Sequence, residues 1–326
     1  MKKILVISSS RADRHLLEPV SIGLGDDCEF ITGTPLSWEC CRSKLNEDDA
    51  GKKVVLLGDR WETLLLAFRA IELNCLCYHI HGGEETFGSK DNIYRRAISA
   101  LSHVHLTAHK QFSDRIIRMG ENPANVICVG ALGVYRAKKI NDAAFPIQTK
   151  TLTVILHPNT IEPGKTEGEV STLLNALKSF TSGFRIKFYA PNHDSGREII
   201  INKIGAFIEL YGGEYVVEEF GDDFLNSLKH SACIIGNSSC GIIEAPTLLV
   251  PTINIGSRQE GRPMALSIIN TDFDSDVISA HIRMVISMDN IDYTNPYDNT
   301  EGDTVDMICD IVRNHPVSFQ KRFIDV

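Results

Sequence analysis

The sequence predicts an α/β protein made of two Rossmann-like, doubly wound units, each a parallel sheet covered by helices on both faces. Three observations predict it. At 326 residues the chain exceeds one ordinary core and suits two domains of roughly 150 residues. Short β-branched runs alternate with helix-length segments along its whole length. The runs are continuously apolar instead of alternating, as strands buried on both faces are.

In the first half, KKILVIS reads as a buried first strand, closed by the polar turn SSSR. CEFITGT, KVVLLGD, CLCYHIHG, HVHLTAH and NVICVGA follow as further strands. LLGDRWETLLLAFRAIEL is a strand end leading into a long amphipathic helix opened by Glu62. The pattern breaks at 137–151, AKKINDAAFPIQTKT, which is polar and contains Pro. A second series begins at Thr151 with TLTVILHP, RIKFYAPN, EYVVEE, ACIIGN and VPTINIG. The expected division is 1–145, 146–300, and a C-terminal helix and tail at 301–326 that packs back on the first domain.

The formal charge of −9 argues against nucleic acid and anionic membranes as partners, since phosphate-tracking surfaces need a basic face. A small phosphate ligand stays open, because a few local donors and a helix N-terminus suffice. No apolar run reaches the roughly 18 residues of a spanning helix, and MKKILVISSSR turns polar too early for a leader, so a cytoplasmic protein is expected. The nine cysteines show no CxxC pair and read as reduced core residues.

In open parallel sheets ligands sit beyond the carboxyl ends of the strands, so the strand-to-helix junctions carry the functional information. Arg11, after the first strand, suits a phosphate or carboxylate but equally a solvated helix start. Asp59 and Arg60 end another strand. HIHGGEETFGSKDN places His79 and His81 on one face of an expected strand, followed by Glu84, Glu85 and Asp91. HxH alone is a weak metal signal, whereas carboxylates crowded in a cleft raise one another's pKa and divide into acid and base. Metal-free proton transfer is therefore the expectation, with the solvated acidic loop as its plain alternative.

In the second half, CIIGNSSCGIIEAP reads as a strand, a glycine-bounded turn and a helix carrying Glu244. Ser238, Ser239 and free backbone N–H groups would form an anion cradle, and neither a GK[ST] nor a GxSxG pattern is present. GSRQEGRP adds Arg258 and Arg262, and two further junctions add His157, Asn192 and Asp194.

Taken together, GDRWE, HIHGGE, RRAIS, GALG, LHPNT, APNHDSG, GNSSCGIIEAP, NIGSRQEGRP and NPYDNTEGD resemble, in order and over residues 54 to about 310, the hydrolysing UDP-N-acetylglucosamine 2-epimerases of sialic-acid and legionaminic-acid biosynthesis. The resemblance implies a glycosyltransferase-B arrangement with the UDP-sugar in an interdomain cleft, no metal or nicotinamide cofactor, and a homodimer. It implies elimination of UDP to a 2-acetamidoglycal and hydration to a free, C2-inverted sugar. By motif, Asp59, His81, Glu84, Asp91 and His157 fall at catalytic positions. Arg11, Arg60, Asn192, Asp194, Ser238, Ser239, Glu244, Arg258 and Arg262 fall at substrate and UDP positions.

Two departures stand out. Several members carry a catalytic Glu where this chain has His81, and others, associated with diacetamido-bacillosamine substrates, read HIHGGE. Only the 47 residues 12–58 separate Arg11 from Asp59, so the first domain is shortened. A non-hydrolysing epimerase, a glycosyltransferase of the same architecture and a non-catalytic nucleotide-sugar-binding protein remain the competing readings.

Overall fold

A computed structural model of the chain describes residues 3–33, 37–87, 89–141, 150–192, 194–217 and 221–325, the side chains of Arg11, Ala12 and Asn141 excepted. The chain divides into two compact units, one of 1–84, 91–135 and 297–326, the other of 85–90 and 136–296.

The first unit contains β1 (Ile4–Ile7), α1 (Arg11–Leu24), β2 (Cys28–Ile31), α2 (Trp38–Lys44), β3 (Lys53–Leu57), α3 (Trp61–Glu72), β4 (Leu76–Ile80), α4 (Asp91–Leu101), β5 (Val104–Thr107), α5 (Lys110–Arg118) and β6 (Val126–Cys128). Its strands pair in parallel in the order β2-β1-β3-β4-β5-β6. Successive residues of a strand serve opposite layers: Ile4 and Val6 pack with Leu17, Val20 and Leu24 of α1, while Leu5 and Ile7 pack with Cys41, Leu66 and Ala70 of α2 and α3. Each fully buried Leu, Ile or Val contributes about 1.5–3 kcal/mol, which is why these strands read as unbroken apolar runs. The last helix, α12 (Thr304–Asn314), belongs to this unit and adds Val305, Ile308 and Val312 to the α1 layer.

The division falls inside α6 (Leu132–Asn141), whose Leu132 lies in the first unit's core and whose Ala137 lies in a core of the second. Residues 142–149 of the expected linker lie outside the described residues.

The second unit contains β7 (Thr151–Ile155), α7 (Thr166–Leu177), β8 (Arg185–Tyr189), α8 (Arg197–Tyr211), β9 (Glu214–Val216), α9 (Gly221–Lys229), β10 (Cys233–Gly236), α10 (Cys240–Ile243), β11 (Thr252–Ile255), β12 (Ile268–Thr271) and α11 (Ser275–Ser287). The parallel order is β12-β11-β10-β7-β8-β9. Sequence reading misses β12. It is a four-residue edge strand with Asn270 exposed, too short and too polar to stand out from a loop.

In both sheets the strand order reverses once, between β1 and β3 and between β7 and β10. The chain leaves those neighbouring strands toward opposite faces and opens a crevice at their carboxyl ends.

Candidate functional site

At the reversal point of the first sheet, Ser8, Ser9 and Ser10 follow β1 and Gly58, Asp59 and Arg60 follow β3. Arg11 opens α1, and its side chain lies outside the described residues. Ser10 caps α1 by accepting the Asp13 N–H at 3.1 Å, and the Ser9 hydroxyl donates to Asp13 Oδ2 at 2.6 Å. Burial pushes the Asp13 carboxyl up, opposed by these serines and by Arg60, while the Asp59 charge adds to the rise. Burial likewise raises Glu62, which Arg60 opposes and Asp13 and Asp91 reinforce. Glu62 is thus more than a helix opener. Asp13 and Glu62 feel each other's charge and that of Arg60, with Asp59 acting on Asp13 and Asp91 on Glu62.

Arg95, overlooked as a site residue in the sequence, organises this group. Its side chain is 3% exposed, pairs with the Asp59 carboxylate and donates to Glu84 O and Asn92 Oδ1, both at 2.7 Å. It lies on the same face of α4 as Ile98 and Ser99, both buried. A charged residue on the apolar stripe of a helix was the available signal.

The structure corrects the expected HxH strand face. β4 ends at Ile80, and His81 takes a left-handed φ of 64°, so the two rings diverge. His79 is fully buried, with Nε2 2.7 Å from Gly58 O and Nδ1 3.1 Å from Ser99 Oγ. A carbonyl only accepts, so the His79 proton sits on Nε2. His81 Nε2 is 3.3 Å from the Leu132 N–H and Nδ1 is 3.5 Å from Glu84 Oε1. Gly83, with φ 76°, is demanded by space as well, because a Cβ there would lie 2.4 Å from Phe112 O. Arg115 donates to Gly83 O at 3.1 Å, so the loop backbone is held from α4 and from α5.

At the reversal point of the second sheet, His157 follows β7 and Asn237 to Ser239 follow β10. Asn237, unremarked in the sequence, is the hub. Its Oδ1 accepts the His157 N–H at 2.7 Å, its Nδ2 donates to His157 O at 2.9 Å, and its own carbonyl accepts from Gln259 at 2.8 Å and Arg258 at 3.3 Å. His157 Nδ1 accepts the Asn192 N–H at 3.2 Å, which leaves Nε2 protonated as a donor. Burial, aided by Arg258, pushes the His157 ring down to about 3. Asn192 Nδ2 donates to Asp194 at 2.5 Å.

Ser238 and Ser239 are partly buried just beyond Gly236, with the Ser238 hydroxyl accepting from Cys240 Sγ at 3.2 Å. The helix expected to carry Glu244 is shorter than that. α10 ends at Ile243 and Glu244 is its C-cap, because the Pro246 two residues on has no N–H to continue the ladder. Arg258 reaches the Ser238 turn through Asn237 O. Arg262 instead donates to Glu85 O at 3.0 Å, Gln259 Oε1 at 3.0 Å and Thr86 Oγ1 at 3.4 Å, so its guanidinium holds the 85–86 segment.

Among the described residues, no three or more His, Cys, Asp or Glu side chains are placed together to hold a metal ion. No helix there is long and apolar enough to cross a membrane.

The buried histidines set a pH response. Burial lowers His79 to about 3, and burial with Lys321 lowers His103 to about 4. With His157 these rings stay neutral when folded and take protons near 6.5 when unfolded, so their contribution is complete above 6.5 and is lost as pH falls toward 4. The raised Asp13 and Glu62 work in the opposite sense, favouring the folded state at lower pH. At about 1 kcal/mol per pH unit for each ring, the three histidines alone account for a loss of about 3 kcal/mol between pH 6 and 5, which the raised carboxyls reduce, so a net loss is expected. Urea midpoints at pH 7, 6 and 5 measure it; a flat profile would contradict neutral burial.

Known proteins share both the sequence and the architecture. The UDP-N-acetylglucosamine 2-epimerase family model matches residues 43–313. The polysialic acid biosynthesis protein P7 of Escherichia coli is 30% identical over all of this chain and 83% of its own length. The hydrolysing UDP-N,N'-diacetylbacillosamine 2-epimerase of Legionella pneumophila is 30% identical over 84% of this chain and 74% of its own. The crystal structure of the Methanocaldococcus jannaschii UDP-GlcNAc 2-epimerase in complex with UDP-GlcNAc and UDP superposes with a TM-score of 0.78 at 15% identity, covering 95% of this chain and 99% of that one, which shows the shared glycosyltransferase-B type fold. A match over most of the length, carried on the same two-sheet architecture, means that the chain belongs to the UDP-N-acetylglucosamine 2-epimerase family.

Proposed function

We propose that this family member is a hydrolysing UDP-HexNAc 2-epimerase, which converts UDP-GlcNAc or a UDP-2,4-diacetamido-2,4,6-trideoxyhexose to UDP and the free C2-inverted sugar. The observation that carries the reading is the gathering of Asp59, Glu84, Asp91 and His81 with Arg60 and Arg95 at the carboxyl edge of one sheet. Removal of a weakly acidic C2 proton requires such positioned bases and acids. The hydrolysing name of the Legionella relative supports the finer assignment.

In the proposed reaction a base takes the C2 proton, the C2–H electron pair becomes the C1–C2 double bond, and the C1–O pair departs with UDP. Water then adds its oxygen at C1, giving up one proton to a base, and an acid returns a proton to C2 from the opposite face. Asp59 and Asp91 act as acid and base, His81 and Glu84 share the proton chemistry, and the Nε2–H of His157 donates at the sugar. Arg11, Ser238, Ser239, Glu244 and Arg258 hold UDP, where N–H and guanidinium donors stabilise the leaving diphosphate. Arg60, Asn192, Asp194 and Arg262 play lesser substrate roles. The proposal includes no metal or nicotinamide cofactor, and takes the working form to be a cytoplasmic homodimer.

The test is NMR in D2O with UDP-GlcNAc and, separately, UDP-diacetamido-bacillosamine. Released UDP with a free, C2-inverted and C2-deuterated sugar is expected from one of them. Deuterated UDP-sugar without hydrolysis would assign the non-hydrolysing reaction instead, and binding of both without turnover would leave a nucleotide-sugar-binding protein.

A further inference from the structure

The geometry points to a dyad in which Glu84 is a positioning residue that fixes the His81 ring as its Nδ1–H tautomer, leaving Nε2 as the proton acceptor for C2. This rests on the proposed elimination chemistry and assigns different tasks to two residues grouped together above.

Three observations carry it. First, the Leu132 N–H meets His81 Nε2 at 3.3 Å, and an N–H needs a lone pair to meet, so the neutral ring carries its proton on Nδ1. Second, that Nδ1 faces Glu84 Oε1 at 3.5 Å, an ion-pair contact longer than a good hydrogen bond, from which the carboxylate stabilises the imidazolium formed when Nε2 takes a proton. Third, burial ranks the pair. The Glu84 side chain is 4% exposed against 12% for His81, which makes Glu84 the inner, orienting group and His81 the outer one.

The surroundings hold this arrangement. Arg95 from α4 grips Glu84 O, Arg115 from α5 grips Gly83 O, and α6 contributes the Leu132 N–H. The left-handed backbone at residue 81 turns the ring out of the strand line and toward α6. Arg95 also carries Asp59, so the charged groups tied to this loop among the described residues include Glu84, Arg95 with its Asp59 partner, and Arg115. In the reaction, the C2–H bond breaks, the proton passes to His81 Nε2, and the electron pair forms the C1–C2 double bond as the C1–O bond releases UDP. Asp59 and Asp91 then serve the hydration, one taking a proton from the attacking water and the other returning one to C2. For Nε2 to take the substrate proton, its 3.3 Å hydrogen bond from the Leu132 N–H gives way.

The experiment pairs ring NMR with kinetics on the full chain. With 15N-histidine labelling and the His81 signals assigned through His81→Asn, which suits a left-handed backbone, the neutral wild-type ring is expected to carry its proton on Nδ1. In Glu84→Gln the ring's titration midpoint is expected to fall by about one pH unit. The acid limb of kcat/KM moves with it, while UDP affinity holds. A proton on Nε2, or an unmoved midpoint, overturns the dyad. A thousandfold loss of turnover in Glu84→Gln with the ring titration unchanged makes Glu84 itself the base and also overturns it. If the ring behaves as expected but wild-type protein releases no UDP from any UDP-hexosamine, the reaction assignment fails, and the base role of His81 with it.

Discussion

Asp59→Asn is expected to lower turnover of the UDP-hexosamine about a thousandfold while leaving UDP affinity within about twofold. The carboxylate stands at the reversal point of the first sheet, partly exposed at 27%, on the buried guanidinium of Arg95. An amide of the same shape keeps the packing but neither takes nor returns a proton. It also removes the Asp59 charge from the buried Arg95 guanidinium, which destabilises the fold by up to about 3 kcal/mol. Urea midpoints separate the two effects, because a variant that is destabilised but folded at the assay temperature still reports the chemical loss. UDP release within tenfold of wild type would remove Asp59 from the proton chemistry.

Gly236→Ala is expected to abolish folding of the second unit or cost it more than about 3 kcal/mol. Gly236 has φ 137°, and a Cβ there would lie 1.9 Å from Ile155 O and 2.6 Å from its carbonyl carbon. Both atoms are backbone of the paired strand β7 and cannot step aside, since Gly236 is in register with Ile155. Gly205→Ala is the control. It sits inside α8, a Cβ there meets nothing within 4 Å, and the change is expected to stabilise by about 0.5–1 kcal/mol. Circular dichroism melts of both variants decide it; a soluble, fully stable Gly236→Ala would mean that β7 and β10 approach less closely.

These two positions also show what the sequence makes legible. Strand-to-helix junctions are local events, so Asp59, His157 and the GNSSCG turn could be placed at sheet edges from apolar runs and punctuation alone. The strand order could not, because pairing is set by tertiary packing, and with it went the knowledge that β1/β3 and β7/β10 are where the order reverses. Side-chain partnerships were hidden for the same reason. Arg95 meets Asp59 across 36 positions and Asn237 meets His157 across 80. His81 misled because period-two reasoning holds only while the backbone stays extended, and the φ of 64° ends it one residue early. Glu244 misled because Pro246 stops a helix whose apolar residues suggest it should continue.

The placement of α12 has a consequence for how the protein is made. The first unit draws Val305, Ile308 and Val312 from the end of the chain, after the whole of 136–296 has been built elsewhere. At about 5–20 residues per second, a ribosome spends about 10–30 s on the intervening stretch, during which α1 waits with its outer apolar layer uncovered. The first unit's sheet, β1 to β6, is complete by Cys128 and the second unit's, β7 to β12, by Thr271, so α12 is added after both. A chain halted before residue 304 therefore leaves a nascent species whose exposed α1 surface is a binding target for chaperones.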